Sequence, residues 1–399
     1  MSDSRSCRKQ WVAPHIAGLP RSGIRDFFEL VNTMDEVISL GIGEPDFVSP
    51  WHIREAAIYA LNRGVTHYTS NLGDLRLRRG ICDYAKERFG CEYDPTCECI
   101  VTVGVSEGLD ILLRAVLSPG DEVLFPSPAY VSYGPTIQMC HAVPVPVETS
   151  ERNDFVVQVS ELEARLTDKT RVLLLNYPNN PTGASLTRED KLILADFVVR
   201  HDLLVVSDEI YEELSYVDRS PSIASCPGMR DRTVLLNGFS KSYAMTGFRI
   251  GYALAPSSLI EAMMKIHQYS IMCASSMVQS AALEALVNGA RERDAMLEEY
   301  RQRRNVIVKR LNEIGLSCFM PRGAFYVFPC IRSSGLNSVD FATRLLREKH
   351  VAVVPGTAFG ASGEGFVRCS YASSMEDIQQ AMDRIGEFME ELRRSGAGM

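Results

Sequence analysis

Short apolar runs alternate with longer amphipathic stretches through the first two thirds of the chain. The runs RVLLLN, LLVVSD and TVLLLN are almost continuous in valine, leucine and isoleucine. Strands with this composition are buried on both faces, as in a parallel sheet that is covered by helices. The pattern predicts strands at 100–103, 122–125, 143–147, 171–175, 203–207, 233–236 and 249–253, with helices at 106–117, 160–166 and 187–201. This alternation predicts an α/β fold with a mostly parallel central sheet and helices on both faces.

From about residue 257 the pattern changes to long, charged helical stretches such as AMLEEYRQRRNVIVKRLNEIG. Two further strands are predicted at 324–328 and 351–354, followed by an amphipathic helix at 375–392. These elements predict a second, smaller α+β domain. The first 45 residues show no strand alternation, and we expect them to pack on this smaller domain. The predicted division is a large domain at 46–285 and a small domain formed by 1–45 and 286–399.

Composition narrows the classes of partner that the chain can bind. It has 399 residues, 46% of them hydrophobic, and a formal net charge of −8. An acidic chain lacks the basic face that grips nucleic-acid phosphates, so no nucleic-acid partner is expected. The sequence shows no apolar leader and no run approaching the roughly 20 apolar residues of a membrane helix, so no membrane contact is expected.

Eleven cysteines are scattered along the chain. Cys91, Cys97 and Cys99 lie close together, but no second Cys/His pair follows at zinc-ligand spacing, so no metal site is predicted. Scattered free thiols are typical of a reducing compartment. We therefore expect the protein to be cytoplasmic.

Chemically active groups follow the carboxyl ends of the predicted strands, where open α/β sheets bind their ligands. In chain order they are the helix start at Gly104, Val105 and Ser106, the amide Asn180 in YPNNPTG, the acid Asp208 and the phenol Tyr211 in SDEIY, and Lys241 in NGFSK. Each of these residues alone is more often a cap, a turn residue or a solvated charge. Their coincidence at one rim of the sheet predicts a shared ligand.

One cofactor, pyridoxal 5'-phosphate (PLP), needs all of these groups. A lysine supplies the Schiff base, and an acid such as Asp208 holds the ring nitrogen protonated, so that the ring can withdraw electrons. Tyr211 and Asn180 suit the phenolate oxygen. The amides of Val105 and Ser106, at the positive end of a helix dipole, suit the phosphate.

Two further residues extend this predicted cofactor site. Arg249 follows Lys241 by eight residues and can add a charged fork to the phosphate. Tyr130, in PSPAYVSY, can stack on the ring face. The residues therefore predict a PLP enzyme.

Six motifs support a more specific interpretation. They are GIGEPDF at 41–47, HYTSNLGDLRLR around Tyr68, NNPTG, SDEIY, SKSYAMTGFRIGY and FVRCSYA. These motifs occur in the same order in the class I/II aminotransferases of PLP fold type I, the aspartate aminotransferase-like group, which the chain resembles over about 41–372. The combination of SKxxxxxGxR with upstream NPTG and DEIY is far more specific than any single motif. The resemblance implies transfer of an amino group from an amino acid to a 2-oxo acid by a ping-pong mechanism.

The resemblance also implies roles for individual residues. Lys241 would carry PLP as a Schiff base and move the proton, with Asp208 and Tyr211 as the other catalytic residues. Arg368 would grip the substrate α-carboxylate, helped by Asn180 and the backbone near Gly43. The remaining contacts would come from Gly104, Val105, Ser106, Tyr130, Asn180 and Arg249, and from Tyr68 of the other subunit of a homodimer with a shared active site.

Two departures from the family pattern bear on this site. Many relatives carry a serine three residues before the lysine as a phosphate ligand. Gly238 stands at that position here, so the phosphate would rely on Ser240 or on backbone amides. No arginine is assignable to a second substrate carboxylate, which weighs against an enzyme dedicated to aspartate and oxoglutarate. The amino donor stays open among aromatic amino acids, alanine, aspartate and acylated diamino acids.

Two alternative functions remain at this level. PLP-dependent β-lyases, cyclopropane-carboxylate synthases and decarboxylases share the anchoring residues with aminotransferases. A PLP-binding transcription regulator carries a DNA-binding domain ahead of the aminotransferase-like part. About 40 residues precede GIGEPDF and the chain is acidic, neither of which favours a regulator.

Overall fold

A computed structural model describes residues 11–19, 34, 36–217 and 220–395. Its strands are β1 Ile38–Ser39, β2 Cys99–Thr102, β3 Glu122–Ser127, β4 Val143–Glu148, β5 Thr170–Asn176, β6 Leu204–Asp208, β7 Thr233–Gly238, β8 Gly251–Leu254, β9 Tyr326–Val327, β10 Val351–Ala352, β11 Val354–Pro355 and β12 Val367–Ser370. Its helices are α1 Pro14–Ala17, α2 Trp51–Asn62, α3 Leu75–Phe89, α4 Gly104–Val116, α5 Tyr133–Met139, α6 Val159–Glu163, α7 Arg188–Arg200, α8 Ser257–Ser270, α9 Ser276–Asn288, α10 Ala290–Ile314, α11 Ser338–Lys349 and α12 Met375–Arg394.

The central sheet has seven strands in the order β2-β8-β7-β6-β5-β3-β4. The pairs β7–β6, β6–β5, β5–β3 and β3–β4 are parallel, and β8 runs antiparallel to both of its neighbours. Leu173, Leu174 and Leu235 are buried completely or almost so, as the continuous apolar runs predicted. The α/β fold with a mostly parallel sheet is therefore confirmed.

Element boundaries agree with the predictions to within a few residues, and the exceptions have local causes. The predicted helix at 187–201 begins one residue later, because the Thr187 hydroxyl accepts from the Asp190 amide at 3.1 Å and caps it. The strand predicted at 249–253 begins at Gly251, since Arg249 adopts a left-handed conformation with φ 51°. The strand predicted at 324–328 is shortened to β9, where Ala324 also has a positive φ.

The C-terminal part forms a second set of sheets and helices. Strands β11, β12 and β9 make a three-stranded antiparallel sheet. Beside it, β1 pairs in parallel with β10, so that Ile38 and Leu40 join a core containing Phe325, Phe341 and Phe388. Most of the N-terminal segment that we expected to pack here lies outside the described residues, and the division into two domains stays a prediction.

Two features of the described residues concern membrane spans and thiols. Among the described helices, none combines the length and apolar content of a membrane span. The cysteines between 82 and 369 are all free thiols.

Candidate active site

A cavity of about 760 Å³ opens at the carboxyl ends of β5, β6 and β7. Parallel strands end at a common edge, so residues far apart in sequence meet there. Ten of the twelve residues predicted for the site line this cavity: Gly43, Val105, Ser106, Tyr130, Asn180, Asp208, Tyr211, Lys241, Arg249 and Arg368. Gly104 lies directly behind the wall, and Tyr68 does not reach the cavity within one chain.

Lys241 projects into the cavity from the turn after β7. Its Nζ donates to the Gly43 carbonyl at 2.7 Å, which links the strand turn to the N-terminal GIGEPDF segment. Burial lowers the pKa of Lys241 to about 8, and the positive charges of Arg368 and Arg249 act in the same direction. The negative charge of Glu44 opposes this shift. A lysine with this pKa can both release and accept a proton near neutral pH.

Asp208 is the last residue of β6 and is buried at the cavity floor. Burial raises the pKa of Asp208 to about 6, although two hydrogen bonds favour the ionised form. The Tyr133 hydroxyl donates to Oδ2 at 2.7 Å, and the Ile210 amide donates to Oδ1 at 3.2 Å. A cationic ring nitrogen placed here would compensate the cost of burying this carboxylate.

The start of α4 forms one end of the cavity and has the features that suit an anion. Its N-cap, Val103, supplies no side-chain cap, so the first amides of the helix are open to an outside acceptor. Gly104 has φ 76°, and a Cβ there would lie 2.7 Å from Arg249 Nη2, so only glycine allows the guanidinium to approach the helix start. Helix amides and an adjacent arginine suit a phosphate.

The glycine at position 238 has a packing reason. A Cβ on Gly238 would lie 3.0 Å from both the Gly251 Cα and the Ile250 carbonyl oxygen. A side chain at position 238 would therefore require β8 to shift by a few tenths of an ångström, which favours glycine there. Ser240 is buried and lines the cavity, as does the helix start. These are the two substitutes that the sequence suggested.

Arg368 occupies the opposite wall, on β12. Its Nη1 donates to Asn180 Oδ1 at 3.0 Å and its Nη2 to the Gly41 carbonyl at 2.6 Å. The guanidinium carbon lies 4.5 Å from the Tyr326 ring centroid, which fixes its plane. Its Nε is buried and has no partner among the described residues. The second hydrogens of Nη1 and Nη2, on a side chain that lines the cavity, remain available for a ligand carboxylate.

The sequence analysis did not identify several residues that shape the site. Tyr133 holds Asp208, although only Tyr130 was singled out from PSPAYVSY. The Tyr326 hydroxyl lies 2.9 Å from that of Tyr211. Glu44 lines the cavity and accepts a hydrogen bond from Thr246 at 3.0 Å. The tyrosine spacing in PSPAYVSY was a usable signal for Tyr133, but nothing local to Tyr326 points to its distant partner.

The charged groups of the cavity limit what a substrate side chain can contact. Among the described residues, the cationic side chains that line it are Lys241, Arg249 and Arg368. Lys241 and Arg249 are predicted to bind the cofactor, and Arg368 is predicted to bind the α-carboxylate. None of the three therefore remains for a second carboxylate. Glu44 and Asp110 add negative charge to the wall.

Comparisons with known proteins place this geometry in a family. The model of aminotransferase class I and II matches residues 35–385. The Bacillus subtilis protein YugH, which bears the name of an aminotransferase without a stated substrate, is 49% identical over 95% of this chain and 98% of its own. Aromatic-amino-acid aminotransferase 2 of Thermococcus litoralis is 45% identical over 93% of this chain and 96% of its own.

A solved structure agrees with the sequence comparisons. The aromatic aminotransferase of Pyrococcus horikoshii superposes with a TM-score of 0.88 at 48% identity, covering 92% of this chain and 99% of its own. These findings favour the aminotransferase prediction over the lyase and regulator alternatives. The chain belongs to the class I/II aminotransferase family, the PLP-dependent enzymes that exchange amino groups between amino acids and 2-oxo acids.

Proposed function

We propose that this cavity is the aminotransferase active site and that Lys241 is the covalent anchor of PLP. The observation that carries the proposal is the meeting of Lys241, Asp208 and the open start of α4 in one cavity. Asp208 faces the ring nitrogen in this assignment, while Val105, Ser106 and Arg249 hold the phosphate. Tyr211 and Asn180 are assigned to the phenolate oxygen, and Tyr130 to the ring face.

When bound, PLP withdraws electrons and stabilises negative charge at the substrate α-carbon. The buried Lys241 Nζ, with a pKa of about 8, would take the proton from the substrate α-carbon and pass it to the cofactor carbon on the other side of the amino nitrogen, and would move a proton in the opposite direction in the second half-reaction. Asp208 stabilises the positive ring nitrogen through an ionised carboxylate that Tyr133 and Ile210 orient. The two half-reactions follow each other in the ping-pong order general to the family.

Arg368 is proposed to bind the α-carboxylate of every substrate. Its guanidinium is fixed by Asn180 and Gly41, and each Nη atom keeps a second hydrogen for a ligand. A bound substrate then links Arg368 on β12, through a charged contact, to the residues at the strand ends of the central sheet. Such a contact draws the predicted domains together and excludes water from the cavity.

Replacement of Arg368 by lysine tests this assignment. Lysine keeps the charge but loses the planar fork, so kcat/KM for amino acids should fall about tenfold for each 1.4 kcal/mol of lost transition-state binding. The matched control is the decarboxylated amine of the same amino acid, whose rate should barely change. Equal losses for both compounds would assign Arg368 to the fold or the cofactor.

A homodimer that shares its active sites is the assembly we propose. Tyr68 is 78% exposed in one chain and Tyr269 is 88% exposed. Their segments are neighbours, because Asn71 Nδ2 donates to the Met272 carbonyl at 2.8 Å. Aromatic residues exposed together in this way are typical of an interface. Tyr68 would reach the phosphate in the other subunit.

Mixed dimers test the shared site. Tyr68→Ala and Lys241→Ala should each lose activity, and re-formed heterodimers should recover part of it, because one of the two sites is then intact. Mixing two different Lys241 variants is the control and should restore nothing. A fully active monomer in sedimentation would contradict the proposal.

We also propose a cytoplasmic location. The support is chemical: the described cysteines are unpaired thiols, and several of them are buried. Thiols persist in reducing compartments. Fractionation of the native host with detection of the protein in the cytosolic fraction tests this location, and recovery from an oxidising compartment would contradict it.

A further inference from the structure

A fully buried histidine contacts the helix that begins at the end of the cavity that suits an anion. His267 lies on α8, and its side chain is 0% exposed. Its Nδ1 lies 2.7 Å from Glu107 Oε1, while Nε2 is buried without a partner among the described residues. The other Glu107 oxygen accepts from the Val103 amide. Neither His267 nor Glu107 lines the cavity, so the proposed reaction leaves both unused.

The hydrogen-bond inventory indicates how this pair is arranged. An ionised carboxylate only accepts, so the shared hydrogen belongs to Nδ1 of His267. A hydrogen on Nε2 would be buried without an acceptor, which costs free energy. The arrangement that satisfies both conditions is a neutral imidazole that donates to an ionised Glu107.

The position of Glu107 explains why this contact affects anion binding at the start of α4. It belongs to the first turn of α4, where a negative charge interacts with the same helix dipole as a bound anion. A carboxylate that turned toward the cavity would repel a phosphate at Val105 and Ser106. Val103 and His267 instead each bind one carboxylate oxygen, and Glu107 does not line the cavity.

We propose that His267 is a positioning residue of the phosphate site, which acts by holding the Glu107 carboxylate away from the anion at the start of α4. This inference rests on the proposed function, because it requires the PLP phosphate to bind there. We therefore expect replacement of His267 to weaken the binding of PLP, which carries a phosphate, and to change little the binding of pyridoxal, which has the same ring without one.

The test uses full-length, cofactor-free protein titrated with PLP and, separately, with pyridoxal, followed by absorbance. His267→Leu removes the donor and should weaken PLP binding by about tenfold, while the dissociation constant of pyridoxal changes by less than about threefold. His267→Asn keeps an N–H near the place of Nδ1 and should recover most of the loss. Equal losses for PLP and pyridoxal would overturn the proposal and leave His267 a packing residue.

The same replacement made in a Glu107→Gln background separates the effect of the Glu107 charge from the effect of packing at His267. Glu107→Gln removes the negative charge and should leave PLP binding unchanged or tighter. Within Glu107→Gln, adding His267→Leu should change the dissociation constant of PLP by less than about threefold. The same tenfold loss in both backgrounds would overturn the proposal. If His267→Leu does not fold, Glu107→Gln alone decides, since weaker PLP binding in that variant contradicts it.

Arg249→Gln distinguishes this inference from the function on which it rests. That variant should weaken PLP binding much more than pyridoxal binding. If it does and His267→Leu does not, only the role of His267 fails. If neither variant discriminates PLP from pyridoxal, the proposed phosphate site itself is wrong.

Discussion

Replacement of Asp208 by asparagine should weaken catalysis and at the same time stabilise the cofactor-free protein. The carboxyl group is buried, and burial raises its pKa from 3.8 to about 6. Asparagine has nearly the same shape. Its oxygen can accept from the Ile210 amide and its nitrogen can donate to the Tyr133 oxygen, while the Tyr133 hydroxyl hydrogen, which loses the carboxylate, can turn to water in the cavity.

The size and sign of the stability change follow from the pKa. Well below pH 3.8 the carboxyl of Asp208 is protonated in folded and unfolded protein, and the raised pKa has no effect. Between about pH 4 and 6 the unfolded state ionises first, so rising pH favours unfolding. A difference of about two pKa units corresponds to about 3 kcal/mol. Asp208→Asn should therefore raise the free energy of unfolding by up to about 3 kcal/mol at pH 8 and by much less near pH 4.

Two measurements on the same variant check this reasoning. Thermal unfolding of cofactor-free protein at pH 5 and pH 8 should show a gain in stability that grows with pH. The kcat of the PLP-saturated variant should fall by orders of magnitude, because an amide cannot keep the ring nitrogen protonated. Asp196→Asn, which changes an exposed carboxylate on α7, is the control and should alter neither quantity. Equal destabilisation by Asp208→Asn at both pH values, or wild-type kcat, would refute the account.

Three further predictions concern neighbouring groups. In cofactor-free protein, acylation of Lys241 measured by mass spectrometry should follow a pKa of about 8, since burial disfavours the charged amine, and a midpoint near 10.5 would contradict this. Tyr133→Phe removes a hydrogen bond to ionised Asp208 and should weaken PLP binding several-fold by absorbance titration; unchanged affinity would show that the bond is unimportant. In half-reactions followed by cofactor absorbance, neutral amino acids should react faster than aspartate. Among the described residues, the cavity offers only Arg368 to a free carboxylate. Faster reaction with aspartate would require another cation.

Sequence periodicity predicted the central sheet because its strands are buried on both faces and read as continuous apolar runs. It could not predict that β8 runs antiparallel, since strand direction depends on connections and not on composition. The short strands β9, β10 and β11 were also poorly bounded, because a two-residue strand carries too little alternation to detect.

The residues of the candidate site also fall into those that the sequence could predict and those that it could not. Residues next to a strand end, such as Asp208 and Lys241, could be predicted because parallel strands deliver them to one rim. Tyr133 and Tyr326 act through hydrogen bonds to residues 75 and 115 positions away, and such pairings leave no local pattern. The His267–Glu107 contact, 160 positions apart, belongs to the same class.

The lysine to which the cofactor is attached decides whether this cavity is the active site. PLP-loaded protein is reduced with borohydride, digested, and mapped by mass spectrometry for the lysine that carries the pyridoxyl group. We expect the label on Lys241, whose side chain lies in the cavity with Asp208 and Arg368. Stoichiometric label on any other lysine of the chain would contradict it.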